Sequence, residues 1–147
     1  MIIQISSNSN TKTIEKSIGI FGATGVDYNF ASVANANEQS IQIGTNMIPA
    51  NSPITSIVVK CIEAIEDGGG ATTAINDVGN TSGGDEWISA ISLETLNQIH
   101  SVSTQVAAKA SASPIYFSIT PGVFWNTLTK GKWSIAITYN DNSFLIP

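Results

Sequence analysis

The sequence predicts an all-β protein: an antiparallel β-sandwich, the jelly roll being one form of it, with an extended N-terminal segment and at most short helices. Three observations carry this expectation. Ser, Thr and Asn supply 45 of the 147 residues and Ile alone supplies 22, a mixture of turn formers and β-branched side chains. Charged residues make up 12%, against roughly 25% in an average globular chain. Short apolar stretches alternate with polar residues and are separated by Gly, Pro and Asn. An apolar content of 42% argues against disorder, and a chain this long buries enough surface to fold without staples. The expected division is an N-terminal strand or arm over residues 1–13 and one sandwich domain over 14–147.

Taken in order, "MIIQIS" is a short apolar run closed by the turn-forming "SNSN". A first strand is expected from Ile14 to Phe21, followed by an irregular polar connection in which Ala31 to Asn37 could form a short helix. "SIQIG" alternates as a strand does, and the two prolines of "NMIPANSP" then break regular structure. "ITSIVVKCIEAIED" reads as one long strand, with Ile57, Val59, Cys61, Glu63 and Ile65 on one face. After the break "DGGG", the segment "ATTAINDVGN" is expected to return as its hairpin partner. "SLETLNQ" suggests one or two helical turns, with Ser92 as cap and Leu93 and Leu96 inward. "SVSTQVAAKA" fits neither period. "SPIYFSITPG" is a strand that sets Ile115, Phe117 and Ile119 on one face. "GKWSIAITYN" alternates most cleanly, with Trp133, Ile135, Ile137 and Tyr139 on the buried side. The total is seven to nine strands.

Composition excludes several function classes. All six basic residues are Lys, so the bidentate grip of Arg on phosphate is missing, and the net charge of −5 disfavours nucleic acid. The single cysteine, Cys61, allows no intrachain disulfide and sits in an apolar run, as a small core residue does. No apolar run approaches the roughly 20 residues of a membrane span. "MIIQISSNSN" lacks the basic start and long apolar region of a secretory leader, so synthesis in a cytoplasm without export is expected.

The motifs are weaker than they look. Gly83-Gly84-Asp85-Glu86 superficially resembles the signature of cyclic-dinucleotide synthases. However, Trp87 replaces the final Phe, and no Arg or long amphipathic helix is available to serve a triphosphate. "IGIFGATGVDY" resembles the glycine-rich turn of extended short-chain dehydrogenases, but Tyr28 stands where a further Gly is needed and no βαβ alternation follows. His100 lies beside Ser101 and Ser103, which is adjacency in sequence and not a triad. "NTS" at Asn80 to Ser82 matches a glycosylation acceptor at chance frequency. Catalytic and cofactor residues are therefore expected to be absent. Seven of the eleven acids fall between Glu63 and Glu94, and Asp77, Asp85 and Glu86 are weak calcium candidates in a region without any fixed-spacing loop. Trp87, Trp125 and Trp133 could stack on a sugar but more often serve as core or interface anchors.

Two stretches carry a family resemblance. "IGTNMIPANSPITSIVVKCIEAIEDGGGATTAINDVGN" and "ASPIYFSITPGVFWNTLTKGKWSIAITYN" together resemble small structural proteins of tailed bacteriophage virions. The likeness covers about Ile41 to Asn140 and is one of strands and turns, not of a catalytic signature. It implies a virion component made in a bacterial host: a capsid decoration or cement protein, a head-fibre base or a tail component. Such a protein is often a trimer, has no enzymatic activity, and has the major capsid protein among its partners, with no nucleic acid or membrane. Low charge and apolar ends suit such a chain, because they favour burial against neighbouring subunits. Ile2, Ile3, Ile5, Trp87, Phe144, Leu145 and Ile146 are the expected interface residues. The alternative is a carbohydrate-binding module that recognises a glycan through Trp87 or Trp125.

Overall fold

The computed structural model describes residues 10–20, 33–103 and 106–142. Among these residues the chain forms nine strands and one short 3-10 helix. The strands are β1 (Thr11–Gly19), β2 (Gln39–Ile48), β3 (Ile54–Asp67), β4 (Gly70–Ala71), β5 (Ala74–Gly79), β6 (Ile88–Ser92), β7 (Ile99–Val102), β8 (Ser113–Pro121) and β9 (Leu128–Asn140). They make two antiparallel sheets, as the alternating pattern requires. One has the order β1-β9-β3, with β4 and β7 sharing the far edge of β3, and the other has the order β2-β8-β5-β6.

The topology is nested. β1 pairs with β9, β2 with β8, β3 with β7 and β5 with β6, so an antiparallel ribbon folds over itself into two sheets. This is the jelly-roll wrapping, and it leaves each sheet one apolar face to bury against the other. β9 contributes Trp133, Ile135, Ile137 and Tyr139 to that interior, and β3 contributes Ile57, Val59, Cys61 and Ile65. The opposite sheet answers with Ile41, Val78, Ile115, Phe117 and Ile119. Burial in a low-dielectric interior pushes the Cys61 thiol above its ordinary pKa, so Cys61 is packed as an inert side chain.

Several elements depart from the sequence expectation. β1 begins at Thr11 and ends at Gly19, earlier than Ile14 to Phe21. β2 continues through Asn46 and Met47, with register shifts on either side of Gly44, and stops before Pro49. Glu63 does not share the buried row of β3. Register shifts between Cys61 and Glu63, and again between Glu63 and Glu66, set Glu63 opposite Lys132, while Cys61 and Ile65 stay fully buried. The hairpin after "DGGG" is only the stub β4, paired with Glu66 and Asp67. Thr72 and Thr73 then carry the chain across to the other sheet, where β5 lies beside β8.

The cause is visible on the edge of β3. That edge is occupied by β7 and by the backbone of Glu94 to Gln98, where Glu94 and Gln98 carbonyls accept from Ile65 and Cys61, and Asn97 donates to Cys61. The same pairing replaces the helix expected in "SLETLNQ". The Gln98 side chain accepts from the N–H groups of Glu94 and Thr95 at 2.7 and 2.8 Å, holding the segment as a turn. Leu93 points inward as expected, but Leu96 is 58% exposed.

One buried group is not satisfied. Asn76 is fully buried on β5, opposite Ile119 and Ile91, and among the described residues neither amide atom has a hydrogen-bond partner. Replacing an unsatisfied buried amide by an apolar group of similar volume removes a desolvation cost. Asn76→Leu is therefore expected to raise the unfolding free energy by about 1 kcal/mol in a urea titration. Trp133→Ala, by contrast, is expected to lower it by about 3–5 kcal/mol.

Candidate functional site

Two surfaces hold the chemistry-bearing residues: the acidic loop between β5 and β6, and the outer face of the five-stranded sheet. The loop runs from Asn80 to Trp87 and folds back on itself. The Trp87 N–H donates to the Val78 carbonyl at 3.0 Å, and the Gly84 N–H donates to the Thr81 carbonyl at 2.9 Å. Gly83 adopts φ 69°, a conformation open to glycine at little cost. Its N–H donates to the Ser40 hydroxyl, which also accepts from the fully buried Ser118. Gly79 lies so close to the loop that a Cβ there would meet the Glu86 carboxylate and come within 2.7 Å of the Gly84 carbonyl. The glycines of "GGDE" thus let the loop pack on its own backbone, on a sandwich and not on an α/β palm.

The three calcium candidates are turned to separate partners. Asp77, almost wholly buried, accepts from the Ala90 N–H at 2.6 Å. Ala90 has φ 50°, so this charge-assisted bond holds a kink in the edge strand β6. Asp85 accepts from the Ser89 hydroxyl at 2.9 Å. Glu86 accepts from the Thr81 hydroxyl at 2.6 Å and the Asn80 N–H at 3.1 Å, closing the loop. Among the described residues no group of three or more His, Cys, Asp and Glu side chains is arranged to hold a metal ion.

These bonds set the local electrostatics. Burial alone would raise the Glu86 carboxyl. Hydrogen bonds from Thr81 and from the N–H groups of Glu86 and Asn80, with the charge of Lys109, outweigh it and hold Glu86 below its ordinary 4.5. Glu38 behaves oppositely: burial, then the charges of Asp77 and Asp85, raise it above 4.5. Glu38 is a site residue that the sequence did not single out, because it lies far along the chain from the acids it faces.

The other sequence-derived candidates are placed as follows. Trp87, Trp125 and Trp133 are all buried, and the indoles of Trp125 and Trp133 donate to the carbonyls of Asn37 and Leu93. None forms an exposed platform for a sugar ring. His100 pairs across from Val59 on β7, and strand alternation sends the adjacent Ser101 to the opposite face. Of the dehydrogenase-like turn, Gly19 ends β1, Ile20 is buried in the core, and residues 21–28 lie outside the described residues, as do Ile2, Ile3, Ile5, Phe144, Leu145 and Ile146. Among the described residues no helix is long and apolar enough to cross a membrane.

The second surface emerges only from strand register. Two rows cross the outer face of the five-stranded sheet. One holds Glu15, Ala136, Val58 and Ser101; the next holds Ser17, Ser134, Lys60 and Ile99. On β9 both rows are small and uncharged, at Ala136 and Ser134, and a depression of about 410 Å³ opens along the β1–β9 seam, lined by Glu15, Lys16, Ser17, Ser134, Ile135 and Ala136. At the flank, Ile99 is 58% exposed.

Comparison with known proteins gives a likeness of fold. No protein-family model matches the chain, and no curated protein matches it. Among solved structures, the chain superimposes on one from the cyanophage Pam1 capsid asymmetric unit with a TM-score of 0.61 at 11% identity, covering 95% of this chain and 92% of that one. A chain from the capsid of Ralstonia phage GP4 gives a TM-score of 0.51 at 10% identity, covering 96% and 91%. Chains from phage capsids therefore share this sandwich from end to end, in line with the resemblance drawn from the sequence.

The carboxylates give a signed pH prediction. Glu86, held low, contributes stability that is present above pH 4.5 and lost as pH falls through its folded value. Glu38, raised, contributes stability that is present below pH 4.5 and lost as pH rises through its folded value. Carboxyl-detected NMR should show Glu86 titrating below 4.5 and Glu38 above it. Thr81→Val should move Glu86 upward, and Glu38→Gln should stabilise the protein at neutral pH but not in acid. Asp77→Ala, which removes the bond to Ala90, is expected to cost about 1–3 kcal/mol in chemical denaturation.

Proposed function

We propose that the chain is a non-enzymatic structural protein of a phage virion, standing on the capsid surface as a decoration or cement protein. The observation that carries this reading is the end-to-end fold likeness to a chain of a phage capsid asymmetric unit, with more than nine-tenths of both chains covered. The sequence resemblance across Ile41 to Asn140 points the same way. Low overall charge and the small side chains of Ser134 and Ala136 along the middle of one sheet face further support a role exercised through contact instead of chemistry. On this reading the chain is made in the bacterial host, and its partners are the major capsid protein and copies of itself.

Jelly rolls also serve as lectin domains, but burial of all three tryptophans takes away the aromatic platform the glycan reading needs. Between the trimer implied by the resemblance and a two-fold pair, the charge arrangement described below favours the pair. The reading is tested by adding purified protein to capsids assembled without it. Co-sedimentation at a fixed stoichiometry, added density on the outer surface in electron microscopy and a higher shell melting temperature are expected. Absence of binding to those capsids, or a specific hit on a glycan array instead, would overturn it.

A further inference from the structure

We propose that the outer face of the five-stranded sheet is a self-association surface, on which a second copy of this chain docks face to face about a two-fold axis running along β9. The proposal goes beyond the virion reading and stands on the sheet itself.

The first argument is steric. A solvent-facing sheet normally presents long charged side chains, which keep other sheets away. Here the middle of the face is built from Ser134 and Ala136 on β9, with Val58 beside them on β3 and Ser17 on β1. Side chains this short let a second sheet approach without displacing bulky groups. Aligned sheets keep their strand directions within about 30° of each other, and because each is twisted, close contact concentrates at the centre of the face, where these residues lie.

The second argument is charge. Lys130 is bonded to Glu66 at 3.1 Å, and Lys132 stands opposite Glu63 in the ladder. Glu15 and Lys60 have neither an ion-pair partner among the described residues nor an opposite charge across from them in the ladder, where Ala136, Ser134 and Ile99 stand. They sit on opposite sides of β9, Glu15 on β1 and Lys60 on β3, in adjacent rows of the face. A two-fold axis along β9 carries β1 of one copy over β3 of the other. Glu15 of each copy then lies one row, about 7 Å along the strand, from Lys60 of its mate, within reach of two extended side chains. The same operation forms the pair twice, which is the self-complementarity that an isologous contact requires.

The test is a charge exchange read by analytical ultracentrifugation over a concentration series. The wild-type chain is expected to dimerise reversibly. Glu15→Lys and Lys60→Glu should each weaken the dimer about tenfold or more, because each turns two attractions into two repulsions. The double variant should recover most of the loss, and an equimolar mixture of the two single variants should associate where neither does alone. Ala136→Arg should abolish association. All three positions are on the outer face, and unchanged thermal unfolding of each variant would establish that the fold persists. A monomeric wild type, single variants that dimerise normally, or a double variant no better than the singles would overturn the proposal. Capsid binding is scored separately, so either idea can fail without the other.

Discussion

Trp133 is the point on which the two sheets depend. It lies on β9 in the middle of the five-stranded sheet, and its ring meets Phe117 of the opposite sheet at 5.9 Å between centroids and 50° between planes. Its indole N–H donates to the Leu93 carbonyl at 2.9 Å, on the connection that passes from one sheet to the other. One side chain thus joins the central strand of one sheet, the second strand of the other and the crossover between them. A buried indole with its polar atom satisfied supplies apolar area and orientation at once. The pairing of β9 with β1 on one edge and β3 on the other then sets where everything else on that sheet can sit.

Legibility followed the same geography. β3, β8 and β9 were readable because each buries one face against the other sheet and shows it over most of its length as alternation of Ile, Val, Phe and Trp with polar or small residues. The edge of β3 was not readable, because its partners are chosen by competition. A glycine-rich turn after a strand favours a hairpin locally, yet the return stops after Gly70, Ala71 and the bond from the Thr72 N–H to the Ile65 carbonyl, and the longer-range β7 and the turn at Glu94 to Gln98 take the remaining bonds. The helical reading of "SLETLNQ" failed for the same reason. Its leucine spacing was real, but the backbone groups a helix would have used internally are committed to β3, and Leu96 is left in solvent. Glu63 broke the alternation as charge should, and the fold answered with a bulge.

The loop chemistry was half visible. That Trp87 would serve as a core or interface anchor could be read from its residue type, and Trp87 is buried. The separate partners of Asp77, Asp85 and Glu86 could not, since each depends on a side chain or N–H placed by folding. Sequence clusters acids by position, whereas electrostatics responds to distance. Glu38 is the clearest instance: it enters the field of Asp77 and Asp85 only because β2 and β5 flank β8 in one sheet.

The outer face of the five-stranded sheet poses the remaining physical question, and it follows from the nested topology. In this wrapping the two sheets satisfy each other's apolar faces, so nothing in the stability of one chain requires the outward rows to be small and uncharged. Long polar side chains would serve there equally well for packing and better for keeping chains apart. Ser134, Ala136 and Val58 instead form a smooth centre, and Glu15 and Lys60, two charges without an ion-pair partner among the described residues, stand on either side of β9 with opposite sign. A surface arranged this way gives up colloidal protection and gains nothing within the monomer. Its composition makes physical sense when a second surface covers it, and the placement of those two charges about β9 is the arrangement that an identical surface would match.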